Sequence, residues 1–538
     1  MNGQMASGLA AEAPEFPYSA ERLLNRRDRN TALMIVLLLL GVYWFTMGGH
    51  TVSVDGEGYL AGTRALAHHT TVLSLGTDID GVVSPVANKN GDPTIAAPIG
   101  TLLLFLPGYL AGRIASSPFP VASQEEVLRL LFLAANAVMT AITGGLLFLL
   151  CRLLKASRRA SALLAFAFGL GTWAWPHSQS DFSEPGTAMV LTAATLAAVL
   201  WWRTPTIRNS ALVGLLAGSV VLTRSSTLLF VPIFLLFGLI RDRTDAGPSR
   251  RQQVLAFAIG GLGPALLFAV NAYIRFGSPF DNGYPDLSYS TPIYEGVFGL
   301  FLSAGKGLVW YAPVCIVSLF ALRRTFLAQK RYTVFVGALL LAHLAVYARF
   351  QIWSGENAFG PRYLIPVLPL LVALIAPVID SGREWFRGVK VAAAIGFLVP
   401  GLLGSTMHFN SVYIDNAFDV TKNMDSPGKL TSVQQHLAWE FQPRSSPLML
   451  HVRSLPDLFN NTVDRLQGEP GGITPIPAEY ESRIHWYTRA IELDFWWAWW
   501  SAKGLSRFGY IFLLAPVVWL GLGLRLLRKL VVTRSWSA

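Results

Sequence analysis

Charged residues are scarce in this chain of 538 residues, since only 14% are Asp, Glu, Lys or Arg while 52% are hydrophobic. A soluble protein of this length needs more charge to cover its surface, which argues against a soluble enzyme or binding module. The two cysteines, Cys151 and Cys315, lie in or at apolar segments, so no disulfide framework is expected. No glycine-rich phosphate loop follows a strand pattern, which makes cofactor-driven chemistry a poor interpretation.

Long apolar runs occupy much of the sequence. Residues 32–49 (ALMIVLLLLGVYWFTMGG) and 364–379 (LIPVLPLLVALIAPVI) are examples, and a bilayer-crossing helix needs roughly 17–25 apolar residues. The sequence therefore predicts an all-α polytopic membrane protein with roughly 11–13 transmembrane helices. The first run follows a basic segment without a small-residue cleavage site, so we interpret it as a retained span and not as a signal peptide.

Clusters of lysine and arginine separate the apolar runs and account for most of the formal charge of +11. Basic residues in short loops mark the cytoplasmic side, so no nucleic-acid partner is needed to explain them. The predicted organisation is a cytoplasmic segment (1–31), a transmembrane catalytic module with outer loops (32–405), an extracytoplasmic soluble segment (406–507), and a last span with a basic tail (508–538). We expect a multi-pass protein of the cell membrane whose outer loops face the periplasm or the exterior.

The region from 98 to 150 leaves the direction of the chain open. Residues 98–117 and 127–150 resemble two spans, which would place the basic cluster at 151–159 on the outer side, against the charge rule. Either 98–117, which contains Pro107 and Gly108, is not a simple full crossing, or that cluster lies outside.

The outer loops carry charges at the edges of the spans, and distorting glycines and prolines accompany them. Ionisable groups near a membrane are costly and tend to mark a substrate site, although any single one can be an interfacial anchor. The first loop contains SVDGEGYLAG, in which Asp55 and Glu57 are each followed by glycine. The other candidates are Lys89, His177, Asp181, Glu184, Arg224, Arg275, Lys306, Arg349, Glu356 and Arg362.

Transfer of a sugar from a lipid phosphate needs both kinds of charge. Arginine or lysine at the interface neutralises the phosphate leaving group, and arginine does so bidentately. A carboxylate opposite takes the proton of the acceptor hydroxyl as a general base, which contributes about 10²–10⁴-fold in rate. We expect the glycines at 56 and 58 to let the first loop turn along the surface, and residues 58–69 to lie in the interface as an amphipathic helix.

Several motifs together resemble the GT-C superfamily of integral-membrane glycosyltransferases, which includes protein O-mannosyltransferases, aminoarabinose transferase and arabinofuranosyltransferases. They are the acids of two outer loops, GLLAGSVVLTRSSTLLFVP, RFGSPF, GLVWYAP and WSGENAFGPRYLIP, and they cover roughly residues 30–380. The resemblance implies Asp55 as the catalytic base, with Glu57 sharing or taking that role. It also implies Lys89, Arg224 and Arg362 as basic site residues, polyprenyl-phosphate-linked sugars as donors, and inversion by single displacement.

A divalent metal ion is a second possibility for the acids. His177, Asp181 and Glu184 form an H-x3-D-x2-E cluster, and carboxylates with a histidine can hold an ion that steadies the leaving phosphate. We expect His177 and Asp181 as its ligands. The alternative is that Asp181 or Glu184 simply begins the next helix, as Pro185 in a first turn suggests.

Residues 406–507 mix aromatic and polar groups. These residues suit an acceptor platform for a glycan, lipid or protein, although WWAWW before the last span is more typical of an interfacial aromatic belt. The histidines of this segment, including His408 and His451, show no metal-ligand spacing.

Two other functions fit a polytopic chain with charged loops. A transporter or flippase of lipid-linked sugars predicts internal repeats and charges at mid-span, whereas the charges here gather on one face. An O-antigen ligase-like transferase predicts a large basic outer loop and gives less weight to the first-loop acid.

Overall fold

The computed structural model describes residues 24–51, 53–73, 86–240, 247–284, 288–355, 358–409, 412, 440–466, 491, 493–502 and 511–532. Within these ranges the chain is helical, apart from a small antiparallel hairpin of β1 (Val86–Ala87) and β2 (Pro93–Thr94). The predicted all-α polytopic class is confirmed. Seven described helices have the length and apolar composition to cross a membrane, and three shorter apolar helices accompany them.

The helices are named in chain order. The first part contains α1 (Arg26–Thr46), α2 (Val54–Ala67), α3 (Ile99–Ser116), α4 (Val121–Leu153), α5 (Arg158–Leu170), α6 (Ala174–Ser178), α7 (Glu184–Arg203), α8 (Ile207–Thr223), α9 (Phe230–Leu239) and α10 (Arg250–Phe276). The second part contains α11 (Ile293–Leu302), α12 (Leu308–Tyr311), α13 (Pro313–Ala328), α14 (Lys330–Tyr347), α15 (Leu368–Ala373), α16 (Arg383–Gly396), α17 (Gly404–Thr406), α18 (Pro447–Arg453), α19 (Leu455–Leu466), α20 (Trp496–Ala502) and α21 (Leu514–Val532). Short 3₁₀ turns lie at Ser225–Leu229, Arg362–Leu364 and Pro443–Ser445, and a π-helical turn lies at Phe397–Leu403.

Helices α8 and α10 pack backbone to backbone through glycine. A Cβ added to Gly214 would lie 2.0 Å from the carbonyl oxygen of Phe257, and one added to Gly260 would lie 1.9 Å from that of Ala211. Close approach at small residues is how helices associate in lipid, where burial of apolar surface between them gains little. This packing fixes the end of α8 and therefore the turn at Arg224 that follows it.

The two ends of α3 contact different parts of the chain. The hydroxyl of Thr101 donates to the carbonyl of Thr223 at the end of α8 (3.0 Å), and Arg113 lies 3.5 Å from His68, directly after α2. Helix α3 is long and apolar enough for a full membrane crossing. The 33 residues of α4 follow and lead into the basic cluster at 151–159.

The described ends of the 406–507 segment are tied to each other and to α1. Met407 forms an isolated antiparallel bridge with Leu493, and the Asp494 N–H donates to the Thr406 carbonyl (2.9 Å). Most of the intervening segment lies outside the described residues.

Two tryptophans of the WWAWW run pack inside the protein. Trp496 and Trp500 are buried, and the indole N–H of Trp496 donates to the carbonyl of Trp44 in α1 (2.8 Å). These two side chains therefore form neither an aromatic belt nor an acceptor platform, because both are buried. They anchor the end of the segment to α1.

Candidate active site

Helix α2 begins at Val54 and contains both glycines of the first outer loop, so the expected loop at 56–58 is helical instead. Its N-cap residue Ser53 accepts a hydrogen bond from the Gly56 N–H (2.9 Å). Both acids lie in the first turn, where negative charge is favoured by the helix dipole. Residues two apart on a helix point in different directions. Accordingly the Asp55 side chain is 47% exposed and that of Glu57 only 7%.

Glu57 is held in a buried ion pair. Its carboxylate accepts from the guanidinium of Arg129 and from the hydroxyl of Thr51. Arg129 also pairs with Glu125 one helical turn earlier in α4 (3.0 Å). A buried carboxylate needs such a partner. Arg129 was not predicted as a site residue because it lies within an apolar stretch of the sequence. The two acids thus differ, since Asp55 is exposed and Glu57 supports α2 against α4.

Four charges from four separate segments of the chain form one alternating network. Arg362 lies 2.8 Å from a carboxylate oxygen of Asp55 (Nη1–Oδ2) and 3.9 Å from Glu184 (Nε–Oε1). Arg224 lies 2.8 Å from the same oxygen of Glu184 (Nη1–Oε1). Only Asp55 of the four is substantially exposed, whereas Glu184 is buried between the two arginines. The charged outer loops predicted to share a face therefore meet at these four residues.

Aromatic rings surround the two guanidinium groups. The guanidinium carbon of Arg362 lies 4.5 Å from the ring centre of Phe182 and 5.0 Å from that of Tyr363. Arg224 lies over Tyr363 (5.1 Å) and Tyr347 (5.2 Å). Such stacking fixes the planes of the guanidinium groups. Burial opposes the charge of Arg362, but its neighbours Tyr363, Asp55 and Glu184 raise its pKa well above the ordinary value.

Asp181 supports the start of α2. Its carboxylate accepts from the Ser53 hydroxyl (2.7 Å) and the Ser53 N–H (3.2 Å). A Cβ on Gly56 would lie 1.8 Å from Asp181 Oδ2, so only glycine permits this approach. Asp181 therefore positions the turn that carries Asp55.

Glu184 is the first residue of α7, and Pro185 follows it in the first turn. The expectation that this helix begins here is correct for Glu184. The residue at the N-cap is Ser183, whose side chain makes no capping hydrogen bond. Its hydroxyl instead accepts from Arg224 (3.2 Å).

The metal site expected at His177 and Asp181 has no geometric support. His177 is buried and its Nε2 lies 2.8 Å from the Phe359 carbonyl. Burial lowers the pKa of His177 to about 4, so the ring is neutral and donates to that carbonyl. Among the residues that the structure describes, the one cluster of metal-type ligands contains neither residue. The carboxylates of Asp55 and Glu184 form ion pairs with the guanidinium groups of Arg362 and Arg224, respectively.

Three further basic residues that were predicted for the site contact main-chain carbonyls or an aromatic ring. Arg275 is buried and donates to the Ala97 carbonyl (2.8 Å), and Lys306 is buried and donates to the Ala358 carbonyl (2.5 Å). Lys89 is exposed, with its amine 5.4 Å from the ring centre of Tyr273. Glu356 lies outside the described ranges.

Comparison with known proteins gives matches in fold only. No protein-family model and no curated protein sequence matches the chain. The chain is similar to oligosaccharyltransferase AglB from Archaeoglobus fulgidus in complex with an inhibitory peptide and a dolichol-phosphate, at 13% identity over 86% of this chain and 64% of that chain (TM-score 0.49). An oligosaccharyltransferase of the same organism in complex with Zn and sulfate matches at 15% identity over 77% and 58% (TM-score 0.46). ArnT from Cupriavidus metallidurans in the apo state matches at 13% identity over 91% and 76% (TM-score 0.45).

The chain spans about three fifths of the length of the archaeal oligosaccharyltransferases that it matches.

Proposed function

We propose that the chain is an inverting glycosyltransferase that moves a sugar from a polyprenyl-phosphate carrier to a glycan, lipid or protein acceptor at the outer face of the cell membrane. The observation that carries the proposal is the position of Asp55. Its exposed carboxylate lies 2.8 Å from Arg362, whose guanidinium belongs to a largely buried network with a second arginine. A carboxylate suited to act as a general base thus lies next to arginines suited to bind a phosphate.

Asp55 is the proposed general base. It takes the proton from the acceptor hydroxyl, whose oxygen attacks the anomeric carbon while the bond from that carbon to the phosphate oxygen breaks. The electron pair of that bond leaves with the polyprenyl phosphate. One displacement inverts the anomeric centre, and the acceptor gains the sugar.

Arg362 and Arg224 are the proposed phosphate-binding residues. A guanidinium matches two phosphate oxygens at once, and its charge offsets that of the leaving group. In the network the two arginines are balanced by two carboxylates, Asp55 and Glu184. Because Arg362 holds Asp55 directly, an incoming phosphate competes with Asp55 for this guanidinium. Donor binding then releases the carboxylate toward the acceptor.

Glu184 is a positioning residue in this proposal. Its side chain is 2% exposed and lies between the two arginines, so neither acceptor nor solvent reaches it readily. It holds both guanidinium groups at a fixed spacing. Preorganised charge of this kind is the largest contribution in many enzymes that stabilise a developing anion.

The test uses the full chain in proteoliposomes with polyprenyl-phosphate sugars extracted from membranes, together with a membrane acceptor fraction. Release of sugar-free polyprenyl phosphate reports transfer without knowledge of the acceptor, and lipid accessibility across the bilayer reports translocation. We expect release by the wild type and by Glu384→Gln, a control whose side chain is 66% exposed, and none by Asp55→Asn. Translocation without release, unchanged in Asp55→Asn, would establish a flippase and overturn the proposal.

A further inference from the structure

Three metal-type ligands that are not part of the Asp55 network meet in the protein interior. The ring nitrogens of His50 and His408 and a carboxylate oxygen of Asp494 lie within 4.8 Å of one another, and all three residues are buried. We propose that these residues form a zinc site that fastens the 406–507 segment to the end of α1.

The contacts of His50 require either a bound cation or a second proton on the imidazole ring. Its Nδ1 lies 3.1 Å from the Thr51 carbonyl oxygen and its Nε2 lies 2.7 Å from Asp494 Oδ1. Both partners are acceptors, whereas a neutral imidazole carries only one N–H. With the proton on Nδ1 and donated to the carbonyl, the Nε2 lone pair faces the carboxylate. A metal ion bound by both atoms removes that conflict, and a main-chain carbonyl orienting the ring is the usual support of a histidine ligand.

Main-chain contacts bring the three ligands together. The bridge between Met407 and Leu493 places His408 and Asp494 on paired segments. The N–H of Trp496 donates to the carbonyl of Met47 (2.8 Å), which draws these segments to the end of α1. The cluster is thus built by the backbone as well as by the side chains themselves.

The backbone of Gly48 lies close beside two of the ligands. A Cβ on Gly48 would lie 2.8 Å from His50 Nε2 and 2.7 Å and 2.9 Å from the two carboxylate oxygens of Asp494. Any other residue would crowd the atoms that face the site. The two imidazole rings lie side by side, with centres 5.1 Å apart.

The ligand set indicates zinc. Two imidazoles and one carboxylate suit Zn²⁺, which takes four tetrahedral ligands and leaves one position here for water. His50 precedes Asp55 by five positions. The ion therefore stabilises the segment from which the proposed base projects, without a part in the displacement itself. Its binding does not depend on the proposed transferase activity.

The experiment measures metal content in the detergent-purified full chain. The protein is stripped with a chelator, dialysed against Zn²⁺, freed of unbound metal and analysed by mass spectrometry. We expect about one zinc ion per chain in the wild type, and at least about tenfold weaker binding in His408→Asn and Asp494→Asn. His69→Asn is the control, since His69 is exposed and has a positive φ of 58° that asparagine tolerates.

Two further measurements distinguish a loss of zinc binding from a loss of folding. Cobalt in place of zinc gives the wild type the visible absorption of a tetrahedral site, and zinc raises the melting temperature of the wild type but not of His408→Asn. Equal zinc uptake by His408→Asn and the wild type would overturn the proposal. So would a wild type that takes up no zinc, in which case His50 and Asp494 form a plain ion pair.

Discussion

Replacing Glu184 by glutamine removes the charge that separates two buried arginines while keeping the size of the side chain. Arg224 lies 2.8 Å and Arg362 lies 3.9 Å from the same oxygen of Glu184. Removing one partner of a buried pair leaves the other charge uncompensated, which costs about 3–5 kcal/mol. Because both arginines lose this partner, we expect a destabilisation at the upper end of that range.

The matched control is Glu384→Gln. Glu384 also lies in a first helical turn and lies 3.9 Å from Arg324, but the side chains of this pair are 66% and 60% exposed. Exposed pairs contribute about 0–1 kcal/mol, so this variant is expected to resemble the wild type.

The assay is thermal unfolding in detergent, followed by the fluorescence of the 16 tryptophans. Donor binding is measured on the same samples. We expect Glu184→Gln to melt well below both the wild type and Glu384→Gln, and to bind the donor more weakly because its guanidinium groups lose their fixed spacing. A melting temperature equal to that of Glu384→Gln would refute the reasoning, since Glu184 would then not hold the buried network together.

Two further predictions concern residues that support the site. Gly56→Ala puts a Cβ 1.8 Å from Asp181 Oδ2 and disrupts two hydrogen bonds to a charged group, each contributing about 1.5–3 kcal/mol; we expect lower thermal stability and lower transfer activity. His177 is neutral when folded, since burial lowers its pKa to about 4, but it takes a proton near pH 6.5 when unfolded. Its contribution to stability is therefore lost as the pH falls from about 6.5 toward 4, and His177→Asn should show a shallower decline.

Controls separate these effects from general damage. Gly263→Ala lies in α10, where an added Cβ meets no atom within 4 Å, so it should leave melting and activity unchanged. Activity of Gly56→Ala equal to that of Gly263→Ala would contradict the steric argument. For His177, the measurement is melting temperature against pH, and parallel curves for His177→Asn and the wild type would contradict the assignment.

The sequence predicts much of the charged network because its members lie beside long apolar spans. A costly charge at the edge of a span is visible in the sequence, and the outer-side assignment brings Asp55, Glu184, Arg224 and Arg362 to one face. The same reasoning includes Lys306, which the structure buries against a main-chain carbonyl. Sequence alone does not distinguish a cation that serves a substrate from one that serves the backbone.

Contacts between distant segments explain what the sequence does not reveal. The difference between Asp55 and Glu57 depends on Arg129 in α4, and the glycine at 56 reflects contact with Asp181 rather than a flexible loop. His408 has no ligand spacing with its neighbours in the sequence, because its potential co-ligands lie hundreds of positions before it and tens after it. Such sites become visible only after the fold has brought the segments together.

The most direct measurement of the central claim is the single-turnover rate of Asp55→Asn at saturating donor, with donor affinity determined on the same protein. If Asp55 is the general base, the rate falls by about 10²–10⁴-fold. Donor affinity stays equal or rises, since Arg362 no longer holds a competing carboxylate. A single-turnover rate equal to that of the wild type would contradict the assignment of Asp55 as the base.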